Sequence, residues 1–180
     1  MFKYYGYTLL TCYLHPKSRG TLTLKNANPL SKPLIDANYL AVESDLEAMV
    51  IGFKKAREIL LQSAFDPYRL CEYEPGEEVK SDEQIKQYIR ERSETIYHPV
   101  GTCKMGNDDM SVVDPKSLKV YGLQNIRVID ASIMPTLTSG NTNAPTTMIA
   151  EKGAEMILRD TQSKIQESYG HDHTTVNHTL

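Results

Sequence analysis

The chain has 180 residues, 40% of them hydrophobic and 24% charged, with a net charge of −3. That balance fits one ordinary folded domain with a modest core and excludes fibrous and disordered classes. The charge is too small, and the lysines and arginines too scattered, to point to nucleic acid, and no apolar run is long enough to span a bilayer.

The opening stretch MFKYYGYTLLTCYLHP carries one early lysine and an apolar patch interrupted by Tyr4, Tyr5, Tyr7 and Tyr13. No small-residue cleavage site follows it, so it does not read as a signal peptide, and residues 7–14 suit a strand better. A chain that opens so abruptly, inside a strand, is expected to be truncated. Thr21, Leu22, Thr23 and Leu24 alternate polar with apolar, which predicts a half-buried strand. Residues 26–33 read as a turn-rich connection, and 34–40 as a second short strand.

Ser44 and Glu47 form a capping-box pattern, so a helix is expected from Ser44 to about Gln62. Leu46, Met49, Val50, Phe53 and Leu60 would share its core face. Residues 66–80 read as a loop. A second capping pattern, Ser81 with Gln84, predicts a helix to about Arg92 with Ile85, Tyr88 and Ile89 on one face. Residues 97–106, YHPVGTCKMG, have no helical period and read as ordered loop. Residues 125–130 predict a compact apolar strand ending in Asp130. A last helix is expected from Asn143 or Ala144, with Pro145 in its first turn, to about Arg159. The polar tail beyond Thr161 is expected to fray.

Cys12, Cys71 and Cys103 have no paired metal-ligand spacing, and an odd count excludes complete internal pairing. The compartment therefore stays open; the parent protein could be secreted, although no signal peptide is present. Asn177-His178-Thr179 matches a glycosylation sequon, a weak signal at a tail. His171, His173 and His178 offer no rigid scaffold for a metal, so no metal site is expected.

Three segments could carry chemistry. His98 lies between residues that fix unusual backbone geometry, Pro99 and Gly101, and such loops often position reacting groups. Structural and catalytic readings of His98 stand level on these grounds. Asn141-Thr142-Asn143-Ala144-Pro145 reads as a helix cap, compatible with an anion site at the same helix end. Asp130 closes a strand where ligands tend to lie in α/β sheets, and it is equally well an ordinary turn residue.

Taken in order, YHPVGTCKMG, YGLQNIRVIDASIMP and SGNTNAPTTMIAEKGAEMI resemble the C-terminal portion of the glucose–methanol–choline (GMC) oxidoreductases. LHPKSRGTLTLKNANPLSKPLIDANYL resembles the region that precedes them, and the wording is nearest to insect-type glucose dehydrogenase-like members. The resemblance implies an α+β chain. Its substrate-domain part, an antiparallel sheet with packed helices, would cover about 7–124. The last strand and helix of the FAD-binding domain would follow at about 125–160, with 161–180 as a flexible tail.

The resemblance also implies roles. His98 matches the family's active-site histidine, and Asn141 its second active-site position. Asp130 and Ala131 match the segment that lies against FAD, and Thr142 and Asn143 the residues whose backbone approaches its ring. His98 would take the hydroxyl proton of an alcohol or sugar while hydride passes to FAD, to an electron acceptor the sequence does not specify. No Gly-x-Gly-x-x-Gly turn occurs in these 180 residues. The chain is therefore expected to be the C-terminal part of a longer enzyme, unable to hold FAD alone. The alternatives are a non-catalytic folding or interaction module and a lyase built on the same family fold.

Overall fold

The computed structural model describes residues 6–172, which fall into two compact units divided after Tyr97. In the first unit, residues 6–20 are irregular, so the expected strand over 7–14 does not form. Among the described residues no segment pairs with it, and a lone strand leaves its backbone groups unpaired. Tyr7 packs instead on Phe65, ring centroids 5.4 Å apart.

The two short strands do form. β1 (Thr21–Thr23) pairs antiparallel with β2 (Leu34–Asp36), Leu22 opposite Ile35. Gly20, just before β1, is required by close approach: a Cβ there would lie 2.2 Å from the Asp36 carbonyl oxygen. Every residue of both strands is exposed, with Leu22 at 50% and Ile35 at 72%, so the predicted half-burial is not met. Among the described residues nothing covers the hairpin's apolar face.

α1 (Glu43–Leu60) begins just before the expected Ser44 start, and its box with Glu47 is absent: the cap residue Val42 makes no side-chain cap. Tertiary partners replace it. The Val42 amide donates to the Ser18 hydroxyl at 3.0 Å. Buried Asp45 accepts from the amides of Lys17 and Ser18 at 2.9 and 2.7 Å, and from the Ser18 hydroxyl. Burial works against charge on Asp45, but the Ser18 hydroxyl and these two amides more than offset it and hold the carboxyl below its ordinary range.

α2 (Asp82–Arg92) starts as its pattern predicts. The Ser81 hydroxyl accepts the Gln84 amide at 3.2 Å, and Gln84 Oε1 accepts the Ser81 amide at 3.0 Å. The two helices bury Leu46 and Val50 against Ile85 and Ile89, with Met49 and Phe53 at the margin. Arg57 fastens the following loop by pairing with Glu72 and donating to the Gly76 carbonyl at 3.0 Å.

The second unit is built around Val113, Leu118, Ile133, Met134 and Ile149. The strand expected over 125–130 is reduced to one bridge, Lys119 with Arg127, because the described residues supply it no continuous ladder. Val128 and Ile129 still pack on the core, while Ile126 is exposed. α3 (Asn143–Asp172) runs past the expected end near Arg159. No proline or glycine interrupts residues 160–169, so nothing there breaks the helix. Asp160 on α3 meets Arg127 and Lys119, whose hydrogen bonds hold its carboxyl below the ordinary range. His173, His178 and the Asn177 sequon lie outside the described residues, as do Tyr4 and Tyr5.

Gly153 marks where α3 seats on Ile129. A Cβ there would lie 2.4 Å from Ile129 Cγ2 and 2.8 Å from its Cδ1. Overpacking of this kind costs roughly 1–3 kcal/mol, against a helix-propensity gain of about 1 kcal/mol. Gly153→Ala is therefore expected to lower stability by about 1 kcal/mol in thermal unfolding followed by circular dichroism. An alanine variant about 1 kcal/mol more stable than the parent would show that Ile129 moves aside freely, leaving only the helix-propensity gain.

Candidate active site

The segment after His98 is positioned through its backbone. Gly101 turns it with φ +90°, a conformation that favours glycine. The amides of Cys103 and Met105 then donate to the carbonyls of Ser132 and Ile133, at 3.0 and 2.8 Å. The strand-end segment is shaped locally: Asp130 Oδ1 accepts the Ser132 amide at 2.8 Å and caps the short 3-10 turn Ala131–Ile133. Asp130 is exposed and Ala131 half-buried, packed at the edge of the core. One oxygen of Asp130 is thus committed to the turn.

From Met134 the chain continues to the start of α3. The Thr142 carbonyl accepts the Thr146 amide at 3.0 Å, the first bond of the helix, so Thr142 occupies the cap position expected of an asparagine. Thr142 is 7% exposed, whereas Asn141 and Asn143 on either side are exposed. The Thr142 side chain turns toward His98, its Oγ1 lying 3.0 Å from His98 Nδ1. The Thr142 amide donates toward the same nitrogen at 3.5 Å. His98 itself is half-buried.

Of the residues singled out in the sequence, the structure brings His98 directly against Thr142, with Asn141 and Asn143 flanking the contact in the chain. Asp130 and Ala131 belong to the segment hydrogen-bonded to the His98 loop. The side-chain role of Thr142 is what sequence reasoning missed, since it gave that residue only a backbone approach. A hydroxyl residue at a helix cap, between two asparagines, was the available signal. Cys12, Cys71 and Cys103 are free thiols, and among the described residues no three His, Cys, Asp or Glu side chains are gathered to hold a metal. No described helix is long and apolar enough to cross a membrane.

The donor set at the start of α3 favours electron-rich or anionic groups. The first-turn amides of α3 have no carbonyl four residues back to receive them, and they concentrate partial positive charge at the helix start. Asn141 and Asn143, on either side of Thr142, are exposed. Such a site suits the electron-rich edge of a ring. The Gly-x-Gly-x-x-Gly turn that seats a dinucleotide's pyrophosphate does not occur in the sequence.

The GMC oxidoreductase family model, for the C-terminal domain, matches residues 16–150. The chain belongs to this family. It is 57% identical over 155 residues to the alcohol dehydrogenase [acceptor] of Pseudomonas putida, covering 86% of this chain and 28% of that protein. It is 48% identical over 155 residues to the oxygen-dependent choline dehydrogenase of Pseudomonas fluorescens, covering 86% of this chain and 27% of that one. Among solved structures, the FAD-dependent oxidoreductase of Chaetomium thermophilum superposes with a TM-score of 0.78 at 33% identity, over 83% of this chain and 26% of that one. These matches support the expected partial GMC fold. The chain spans little more than a quarter of the length of the curated relatives it matches. Those relatives are bacterial alcohol and choline dehydrogenases, not specifically insect glucose dehydrogenases.

Proposed function

We propose that this chain is the C-terminal part of an FAD-dependent oxidoreductase that oxidises the CH–OH group of a small alcohol. The observation that carries the reading is the half-buried His98 held at the start of α3, beside exposed Asn141, in a chain so similar to an alcohol dehydrogenase. His98 takes the hydroxyl proton at Nε2, the ring nitrogen left free by the Thr142 contact. The Asn141 amide donates to the alcohol oxygen and orients the carbon. FAD, when bound, supplies the hydride acceptor. Asn143 and the α3 start would hold the ring end, with Asp130 and Ala131 lying along the cofactor, while residues 7–124 contribute to the substrate side and 125–160 to the FAD side. The names of the relatives favour an alcohol or choline over a sugar as substrate.

The test is anaerobic flavin bleaching in the full-length parent enzyme, with choline, a primary alcohol and glucose as separate substrates. Bleaching by an alcohol or choline is the expected result. A flavin left oxidised by all three would overturn the oxidation reading and leave the lyase or the non-catalytic module. Bleaching by glucose alone would return the substrate to the sugars.

A further inference from the structure

We infer that Thr142 is a positioning residue: its hydroxyl accepts the proton-bearing Nδ1 of His98, so that Nε2 presents a lone pair to the substrate. The inference rests on His98 being the base.

A neutral imidazole carries one N–H and one bare nitrogen, and the partner of each decides which is which. If Nε2 is to take a proton, Nδ1 must already hold one, and that N–H needs an acceptor. Two Thr142 groups face Nδ1, the hydroxyl at 3.0 Å and the backbone amide at 3.5 Å. The amide can only donate, so it favours the opposite tautomer. The hydroxyl can either donate or accept, and it stands at ordinary hydrogen-bond distance while the amide is at the outer edge. It is the nearer group and the one of the two able to receive Nδ1–H. When Nε2 gains the substrate's proton, the same oxygen remains in place to accept Nδ1–H of the imidazolium. Thr142 is buried and its carbonyl is fixed by the first bond of α3, so the oxygen is held with little freedom to move.

Removing the hydroxyl alone has a directional consequence. In Thr142→Val the amide remains as the sole Thr142 group facing Nδ1, so the ring proton should move to Nε2. Long-range proton–nitrogen NMR of the ¹⁵N-labelled 180-residue chain, at a pH where the ring is neutral and with His98→Gln as the assignment control, reads this without flavin or substrate. The wild-type chain and Thr142→Ser should show a protonated Nδ1, and Thr142→Val a bare one. A bare Nδ1 in the wild-type chain overturns the inference, as does a tautomer unchanged by valine. In the full-length enzyme, valine should slow flavin reduction roughly 10- to 100-fold, the scale for losing the hydrogen-bond partner behind a metal-bound imidazole, and serine should restore it. If His98→Gln left flavin reduction unchanged, the base assignment would fall while the tautomer measurement stood. The two readings therefore fail separately.

Discussion

Replacing His98 with alanine in the full-length enzyme is expected to leave the flavin bound and to slow its reduction by alcohol about 100- to 10,000-fold, the range for loss of a general base. Rapid mixing under anaerobic conditions, with flavin absorbance as the readout, separates the two effects. Binding should survive because the residues proposed to hold the cofactor belong to α3 and the 3-10 turn segment, and neither is built on the imidazole. The 3-10 turn is capped by Asp130, and α3 is held by the core around Ile149 and by Arg127 and Lys119 at Asp160. A substrate with a more acidic hydroxyl should recover part of the lost rate, since less help is needed to remove its proton. Reduction at wild-type speed would remove His98 from the chemistry. Loss of flavin without a change in the fold would instead make it a cofactor contact.

The second large effect concerns stability and lies far from the chemistry in sequence. Asp45→Ala should destabilise the α1–α2 unit by about 3 kcal/mol, because it strips the acceptor from two amides and a hydroxyl at a buried charged site. The native carboxyl titrates below its ordinary range, so its contribution is complete above the unfolded value of about 3.9 and is lost as the pH falls through the lower native value. Asp45→Asn should therefore be markedly less stable than the parent at neutral pH, and the gap should narrow in strong acid. Urea unfolding at the two pH values measures it. A gap independent of pH would mean that the carboxylate charge contributes nothing and that shape alone matters.

The helices were legible because their signals are local. Ser81 and Gln84 cap α2 as their spacing demands, and the Leu46, Met49, Val50, Phe53 stripe is the face α1 turns to Ile85 and Ile89. The strands were less so, because a strand exists only through a partner. Residues 7–14 and 125–130 have strand composition, yet the described residues give the first no pairing and the second a single bridge. The start of α1 failed for a related reason: the Val42 amide is satisfied by the hydroxyl of Ser18, far away in sequence, rather than by a neighbouring side chain. At the candidate site, the motifs picked out His98 and the 141–143 run. That the contact goes through the hydroxyl of Thr142 depends on where α3 begins in space, which no spacing along the chain encodes.

The loop that carries His98 is tied to the 3-10 turn by main-chain bonds, from Cys103 and Met105 to Ser132 and Ile133. Main-chain bonds are indifferent to side-chain identity. Thr102 is exposed and Cys103 donates its amide whatever its side chain, so this stretch can diverge while the histidine keeps its place. Gly101 is bound by its own backbone conformation, as Pro99 is by its ring. The arrangement separates what must be preserved from what is free to drift.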